Sequence, residues 1–523
     1  MVATLVGLFG IALLGCTQKE APKSEKEMII LVSIDTLRAD HLSSYGYERE
    51  TSPFLDSLAA KGSRFRYARS ASPWTLPAHV TMLTGQLPMT HKVVDDGVSL
   101  DPQTPFLPAL LQKEGWATGG FVSTMYVSSL FGFNRGFDHF EDFGLLSEKK
   151  NLSGSVDAED VIDEALTWFA SQPAEKPLFL FLHFYDVHYA YDAPAPYNEK
   201  FDRPSQKGDQ KYKNYFYFKN KKKVKAKQRR HQIAQYDEEI VYVDDQLRRL
   251  NDAIKDKRTK VKWVVTADHG EEFWERGAWG HAHTLYAEQL HVPLIISGEG
   301  VPQGIPDSGW AGSHDIAPTI SAWAGAGGLQ PDGISLVSYL SGEKALPERT
   351  FMAETTRFKT NRLSILEGEY RLEWDLKNAT SELFHTMSDL KERKDISKEN
   401  PEIVNALKLL AEKELGYPWT AQESGFVWLE QAVGLKKGVS KRKLPVVKGD
   451  VFQILPYDAP IFFSSLDSPE VKIGSWQQVG AKNNDALRGL TVEQNSANQE
   501  VHLDENAKKL LEKIGYMQTE DEE

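Results

Sequence analysis

The chain of 523 residues cannot be stabilised by disulfide bonds, so its fold must depend on an apolar core. It has a single cysteine, Cys16, so no disulfide can form within the chain. Beyond the N-terminus it has no apolar run of about 18 residues, so we expect no membrane-spanning helix there. The formal net charge of -13 gives no indication of a nucleic-acid partner. Apolar residues make up 41% of the chain, which is enough for a globular core.

The one cysteine ends an apolar N-terminal stretch. Residues 1–15 carry no charge, and Leu13-Leu14-Gly15-Cys16 is followed by a polar segment. An apolar stretch that ends in small residues is typical of a secretory signal, and these four residues resemble a bacterial lipobox. We interpret 1–16 as a lipoprotein-type signal peptide lipidated at Cys16, and 17–27 as a tether. The protein would then be anchored in a bacterial cell envelope, facing the periplasm or the exterior; an uncleaved signal or a buried N-terminal helix is the alternative.

Apolar runs alternate with amphipathic segments through the first two thirds of the chain. Strands are predicted at 28–35, 177–182, 261–270 and 292–298, and a further strand at 117–123. Helices are predicted between them. This alternation predicts an α/β fold with a mainly parallel central sheet flanked by helices. The helical segments are 51–62, 106–114, 158–170 and 236–255, with a further helix start at 77–83.

Polar side chains stand where several of these predicted strands end. The carboxyl ends of parallel strands meet at one edge of a sheet, where function gathers in such folds. We therefore expect residues far apart in sequence to form one site at that edge: Asp35, His183, Asp186, Asp268 and His269.

Thr75 is a candidate nucleophile. It precedes Pro77, and proline is favoured at the first position of a helix, so Thr75 is predicted at a helix N-terminus. Backbone N–H groups there stabilise an oxyanion. A threonine hydroxyl still needs a base or a metal to activate it. The alternative is that Thr75 only caps the helix.

A metal site is predicted around the Asp268-His269 pair. Carboxylate oxygen and imidazole nitrogen together bind a divalent cation, and zinc or manganese is favoured, with calcium as a further option. Asp35 and the Thr75 hydroxyl would complete a set of four ligands. Further imidazoles follow at His281 and His283, and others stand at His183 and His188.

Five segments together resemble the sulfatase family of the alkaline phosphatase superfamily. They are Ile34–Asp40, Thr75–Gly85, His183–His188, Thr266–Glu271 and Gly280–Tyr286. The resemblance covers roughly residues 28–415 and the last twenty residues. It implies an alkaline phosphatase-like sheet, a smaller C-terminal sulfatase-type subdomain and a divalent metal in the active site.

The chain departs from this family at the nucleophile. Sulfatases carry cysteine or serine, converted to formylglycine, in a Cys/Ser-x-Pro-Ser-Arg motif, whereas this chain has Thr75-Leu76-Pro77-Ala78-His79. Threonine cannot give that aldehyde, and His79 replaces the arginine. His269 also stands where sulfatases have asparagine. Threonine with an Asp-His metal pair is more similar to the phosphodiesterases, phosphonate hydrolases and phosphoethanolamine transferases of the superfamily.

The hypothesis from the sequence is a metal-dependent hydrolase of phosphate-type esters, with Thr75 attacking in line. His79, His183, His188, His281 and His283 would contact the substrate oxygens or protonate the leaving group. Asp186 and His188 could instead hold a second metal. The expected partner is a small anionic ester, carried on a lipid or a glycan. The alternatives are a sulfatase without formylglycine, a phosphoryl-group transferase and an inactive glycan-binding homologue.

The domain organisation follows from the same segments. A catalytic domain is predicted at 28–345, with a basic, aromatic-rich insertion at about 200–231 that is either a solvated loop or a lip for an anionic substrate or a phospholipid surface. The C-terminal subdomain is predicted at 346–415 and an appended segment of strand and loop at 416–500. Residues 501–523 would form a terminal helix and an acidic tail.

Overall fold

The computed structural model describes residues 27–143, 156–202, 224–304, 309–341, 343–378 and 380–415, and the backbone of short strands between Tyr417 and Glu500. The strands of the first 415 residues are β1 Glu27–Ile34, β2 Ser63–Arg64, β3 Ala68–Arg69, β4 Val98–Ser99, β5 Ala117–Val122, β6 His139–Glu141, β7 Leu178–Phe184, β8 Lys260–Thr266, β9 Glu272–Phe273, β10 Trp279–Gly280, β11 Leu294–Gly298, β12 Ala311–Gly312, β13 Phe351–Thr355, β14 Arg362–Glu367, β15 Tyr370–Asp375 and β16 Thr380–His385. The later strands are β17 Tyr417–Ala421, β18 Gly425–Gln431, β19 Ser440–Val446, β20 Val451–Ile454, β21 Ile461–Ser465, β22 Val471–Gly474, β23 Leu490–Val492 and β24 Gln499–Glu500.

The α-helices surround the central sheet and cover the C-terminal one. They are α1 Pro53–Lys61, α2 Thr75–Thr84, α3 Pro88–His91, α4 Leu107–Lys113, α5 Ala158–Ser171, α6 Ala226–Ile254, α7 Ala287–Leu290, α8 Ile316–Ala324, α9 Val337–Leu340 and α10 Pro401–Leu415.

A seven-stranded sheet in the order β2-β11-β8-β1-β7-β5-β6 forms the centre of the molecule. Strand β1 lies between β7 and β8 and is parallel to both, and β5 is parallel to β7 and β6. The register places Ser33 of β1 opposite His183 on one side and Thr266 on the other. These three strands therefore end at the same level, which brings the residues that follow them to one edge.

Strand β1 has no polar face because it packs on both sides. Met28 and Ile30 belong to the core on one face of the sheet, while Ile29 and Leu31 belong to the core on the other. Side chains alternate across a strand, so a strand buried on both faces requires a continuous apolar run. The parallel α/β fold predicted from that run is confirmed.

Strand β11 runs antiparallel to β8, so the sheet is mainly but not wholly parallel, as the sequence predicted. The chain between these strands contains only the short β9, β10 and α7. A parallel return needs a crossover of a dozen or more residues, usually a helix, that carries the chain back to the other end of the sheet. Here the loop returns at the edge where β8 ended, so the next strand runs in the opposite direction.

A second, antiparallel sheet in the order β13-β14-β15-β16 lies after the central domain. Leu363, Ile365 and Leu372 of this sheet pack with Leu407 and Ala411 of α10. One face of the sheet is thus buried by one helix, as antiparallel sheets allow. This is the smaller C-terminal subdomain that the resemblance implied.

Several expectations fall on residues outside the described ranges. These are the signal segment with Cys16, most of the tether, most of the basic insertion and the tail at 501–523. Within the described part of the chain, no helix combines the length and apolarity needed to cross a bilayer.

Gly298 at the end of β11 provides a test of the packing between β11 and β8. Its φ is +125°, and a Cβ there would lie 1.9 Å from the carbonyl O of Val261. Gly46 also has a positive φ, +95°, but nothing lies within 4 Å of its Cβ position. We expect Gly298→Ala to lower the free energy of unfolding by more than about 3 kcal/mol and Gly46→Ala by about 1 kcal/mol, measured by denaturant unfolding. Equal losses would contradict the close approach of the two strands.

Candidate metal centre and nucleophile

The chain turns sharply where β1 ends. Thr36 has a φ of +57°, which is uncommon for a residue with a branched side chain. Its N–H donates to Asp268 Oδ1 at 3.3 Å, its hydroxyl donates to the carbonyl O of Val187 at 2.7 Å, and its own carbonyl accepts from the Tyr236 hydroxyl at 2.8 Å. These bonds connect the ends of β1, β7 and β8, so Asp35 is held against Asp268.

Asp35, Asp268 and His269 form a buried group whose ligand atoms converge. His269 Nε2 lies 3.7 Å from Asp35 Oδ1 and 3.3 Å from Asp268 Oδ2. His269 Nδ1 donates to the carbonyl O of Gly270 at 3.0 Å, which leaves the lone pair on Nε2. The three ligand atoms lie within 4.8 Å of one another, so one cation could contact all of them.

The acids of this group are only partly compensated by the described residues. Both oxygens of Asp35 and Oδ2 of Asp268 lack a hydrogen-bond partner among the described residues, and both side chains are fully buried. Burial raises the pKa of Asp35 well above its usual value, and repulsion by Asp268 and Glu271 raises it further. Buried carboxylates are normally hydrogen-bonded or bound to metal. These residues therefore fit a divalent cation.

Thr75 is the first residue of α2 and is brought to the same group. Its hydroxyl lies 3.4 Å from His269 Nε2, and only 1% of the residue is exposed. Helix α2 begins at Thr75, before the predicted start at Pro77, because the extended Trp74 is the residue that precedes the first turn. The Thr75 hydroxyl therefore lies beside the positive end of the helix dipole.

His79 supports Thr75 from within the helix. Its Nδ1 donates to the carbonyl O of Thr75 at 2.8 Å, and its Nε2 accepts from the Ser33 hydroxyl at 2.9 Å. Both ring nitrogens thereby have hydrogen-bond partners. His79 also lies close enough to His183 and Asp268 that the three side chains form a second group that could hold a metal ion. These contacts fit a residue that positions the nucleophile better than one that binds a substrate or a metal. The polar Ser33 within the apolar run of β1 was the sequence signal for this contact.

His183 faces Asp35 from the neighbouring strand. Its Nε2 lies 3.6 Å from Asp35 Oδ2 and has no hydrogen-bond partner among the described residues. Its Nδ1 lies 3.4 Å from the Ser123 hydroxyl, which donates to the carbonyl O of His183. Burial lowers the pKa of His183 well below the usual value, and neighbouring histidines lower it further. The ring is therefore neutral, with Nε2 directed at the acidic group.

His281 belongs to a relay that the sequence did not reveal in full. Its Nδ1 donates to Glu271 Oε1 at 3.0 Å, and the Tyr191 hydroxyl donates to Glu271 Oε2 at 3.0 Å. The ring centre of His281 lies 4.4 Å from that of His269. Burial raises the pKa of Glu271, while His188 and His269 oppose that shift. Tyr191 was missed because its partner, Glu271, is 80 residues away.

His283 and His188 lie on either side of this relay. His283 Nδ1 donates to the carbonyl O of His281 at 3.0 Å, and its Nε2 lies 2.9 Å from Glu272 Oε2. His188 Nδ1 donates to the carbonyl O of Tyr189 at 2.6 Å, and its ring centre lies 5.0 Å from that of His281. Burial lowers the pKa of His188 to about 3. His188 thus lies beside His281 as a neutral ring, while His283 is bound within its own loop.

Asp186 has different neighbours from the rest of the predicted site. Its Oδ1 accepts from the N–H of Ala158, the first residue of α5, and burial raises its pKa to about 7. Among the described residues, neither group of three that could hold a metal includes Asp186 or His188. A second metal site at these two residues stays a prediction, while Oδ1 of Asp186 is used at the start of a helix.

A mainly parallel sheet flanked by helices and followed by a small antiparallel sheet is the architecture of alkaline phosphatase-like proteins. A 2-O glycosaminoglycan sulfatase, BT1596, has this fold with a TM-score of 0.61 and 18% identity, covering 75% of this chain and 92% of that one. The phosphonate monoester hydrolase of Agrobacterium radiobacter has it with a TM-score of 0.58 and 18% identity, covering 74% and 95%.

The family model described as Sulfatase matches residues 27–326, more than half of the chain. The chain therefore belongs to the sulfatase family, which is a family of ester hydrolases. The low-salt glycan biosynthesis sulfotransferase Agl7 of Haloferax volcanii is 28% identical over 279 residues, which are 51% of this chain and 56% of Agl7. The chain thus spans little more than half the length of that relative.

Replacing Asp35 by asparagine tests the repulsion within the acidic group. We expect Asp35→Asn to raise the Tm of the metal-free protein by about 2 °C or more, because it removes the repulsion between two buried carboxylates. Zinc or manganese should then no longer raise the Tm, whereas either should stabilise the unchanged protein. Thermal melts in chelator and after metal addition measure both effects.

Asp315 provides the matched control for that substitution. It is equally buried, but Arg349 Nη1 donates to its Oδ1 at 2.6 Å. Asp315→Asn should therefore lower the Tm, since it leaves the Arg349 guanidinium, on a side chain that is 14% exposed, without its charge partner. A fall in Tm for both variants would show that Asp35 is not under electrostatic strain.

Proposed function

We propose that this protein is a metal-dependent hydrolase of phosphate-type esters that uses Thr75 as its nucleophile. The observation that supports this most directly is the place of the Thr75 hydroxyl. It lies 3.4 Å from His269 Nε2, at the N-terminus of α2, beside two buried acids. Three of the four oxygens of these acids lack a hydrogen-bond partner among the described residues. A threonine that only capped its helix would have no need of such an acidic neighbourhood.

Asp35, Asp268, His269 and the Thr75 hydroxyl are the residues that would hold the cation. Oxygen and imidazole donors in one group suit zinc or manganese. A divalent cation bound there supplies charge neutralisation for the acids and for the ester, and favours ionisation of the threonine hydroxyl. The N–H groups of the first turn of α2 offer further stabilisation of negative charge.

The reaction at Thr75 is a displacement in two steps. The Thr75 oxygen attacks phosphorus, the bond from phosphorus to the leaving oxygen breaks, and a phosphothreonine forms. Water then attacks the same phosphorus and releases Thr75. Threonine is suited to this route because a phosphoester of its hydroxyl is an ordinary covalent intermediate, whereas a formylglycine cannot be made from it. Phosphoryl transfer requires mainly positioning and charge stabilisation, which this group provides.

His281 is the residue that we propose to protonate the leaving oxygen. The bond from its Nδ1 to Glu271 holds the ring, so that Nε2 is the nitrogen that carries the transferred proton. The adjacent His269 ring, 4.4 Å away, places His281 beside the reacting group. We propose a small anionic ester as substrate, carried on a glycan or a lipid, and anchorage of the enzyme through Cys16.

Removing the Thr75 hydroxyl should abolish turnover. We expect Thr75→Ala to lower kcat for nitrophenyl phosphate mono- and diesters by about 10³-fold or more, because covalent catalysis is lost. The metal content should be retained, since Asp35, Asp268 and His269 remain. Steady-state kinetics and metal analysis of the purified protein measure the two quantities.

Thr84 provides the control, because it lies on the same helix and donates to the carbonyl O of Val80 at 2.7 Å, away from the acids. Thr84→Ala should keep its kcat. Full activity of Thr75→Ala would exclude the covalent route. Turnover of nitrophenyl sulfate in the absence of phosphoesterase activity would instead support a sulfatase that works without formylglycine.

The role of His281 predicts a dependence on the leaving group. We expect His281→Gln to lower kcat/KM for phenyl phosphate esters by about 10²-fold or more, since phenol leaves poorly without a proton. Nitrophenyl esters, whose leaving group is stable as an anion, should be slowed much less. A uniform loss for both substrates would show that His281 binds the ester and does not protonate it.

A further inference from the structure

The backbone that carries His281 adopts an unusual conformation. Ala282 has a φ of +69°, a region that residues with a side chain seldom occupy, and it is fully buried. Such a backbone persists only where its surroundings hold it. The direction of the His281 ring therefore depends on what contacts the Ala282 peptide groups.

One contact comes from the loop that carries the nucleophile. The Ala282 N–H donates to the carbonyl O of Pro73 at 3.0 Å. Pro73 stands two residues before Thr75, so this bond joins the histidine loop to the start of α2. It holds the N–H group of Ala282 in place.

The other contact comes from the C-terminal subdomain. Thr355, the last residue of β13, donates its hydroxyl to the carbonyl O of Ala282 at 3.0 Å. The same hydroxyl accepts from the N–H of Arg357 at 3.4 Å, so its only hydrogen is directed to Ala282. Thr355 is 2% exposed, which keeps water from replacing it.

Arg357 fixes the subdomain to the nucleophile loop close to that bond. Its guanidinium carbon lies 4.2 Å from the ring centre of Trp74, the residue before Thr75. Its Nη1 donates to Asp96 Oδ1 at 2.7 Å and its Nη2 donates to the Tyr126 hydroxyl at 3.0 Å. The end of β13 is thereby held in place, and Thr355 reaches Ala282 from a fixed support.

We infer that Thr355 is a positioning residue for His281. Its hydroxyl sets the carbonyl of Ala282 and, through that peptide, the imidazole that delivers the proton to the leaving oxygen. This inference rests on the leaving-group role proposed for His281. It assigns the C-terminal subdomain a part in the reaction, because the subdomain supplies the hydroxyl on which the histidine loop depends.

The test compares Thr355→Val, which has nearly the shape of threonine but no hydroxyl, with Thr355→Ser, which keeps the hydroxyl. We expect Thr355→Val to lower kcat for phenyl phosphate esters about tenfold with KM changed less than about twofold, because the proton donor is misplaced. Nitrophenyl esters should be affected less. Thr355→Ser should retain the kcat of the unchanged protein for both substrates.

Thr386 provides the matched control within the same subdomain. It is 1% exposed and its hydroxyl donates to the carbonyl O of Glu369 at 3.0 Å. Thr386→Val also removes a buried hydrogen bond, so it reports the effect of destabilising the subdomain alone, and its kcat should not change. A loss of kcat in Thr386→Val as large as that in Thr355→Val would overturn the inference.

A second measurement does not depend on catalysis. In protein labelled in the histidine rings, the His281 resonance is assigned by its absence in His281→Gln. We expect Thr355→Val to shift that resonance and Thr355→Ser and Thr386→Val to leave it in place. An unshifted resonance in Thr355→Val, or a kcat of Thr355→Ser as low as that of Thr355→Val, would overturn the inference. If the unchanged protein hydrolyses no ester, the proposed function fails, and the resonance still decides whether Thr355 holds His281.

Discussion

The repulsion between two buried carboxylates, Asp35 and Asp268, is the constraint on which the rest of the site depends. Strands β1 and β8 are parallel neighbours in register, so the residues that follow them emerge side by side. Among the described residues, the basic side chains that lie close to these acids are histidines. Burying such a pair is costly unless a cation is bound. The surrounding elements therefore have to hold Asp35 and Asp268 together and to hold the Thr75 hydroxyl beside them.

Three elements provide that support from different directions. The turn at Thr36 joins the ends of β1, β7 and β8. Helix α2 presents Thr75, and His79 on its next turn connects the helix to Ser33 of β1. The loop after β10 presents His281, which is held by Glu271 on one side and by the nucleophile loop and β13 at its backbone. The catalytic groups thus lie on elements whose positions depend on one another.

Thr75, at the position where the sulfatase motif has cysteine or serine, distinguishes this chain within its family. The fold and the acids at the strand ends are compatible with sulfate or phosphate chemistry, since both esters are tetrahedral anions. Thr75 and His269 change the donor set from that of a formylglycine enzyme to a hydroxyl beside mixed oxygen and nitrogen ligands. Our proposal of phosphoester chemistry rests on that local change, while the architecture is that of the family.

The sequence by itself determined the sheet, the strand ends and the core of the site. An apolar run such as 28–34 predicts a strand buried on both faces, and polar residues after parallel strands are expected at one edge of the sheet. Only the tertiary structure decided which residues lie together: it placed β11 antiparallel to β8, used Asp186 at the start of α5, and joined Tyr191 to Glu271 and Thr355 to Ala282. The reason is physical, because periodicity records which side of an element is buried, whereas a hydrogen bond between distant segments depends on where loops of no fixed period bring two single atoms.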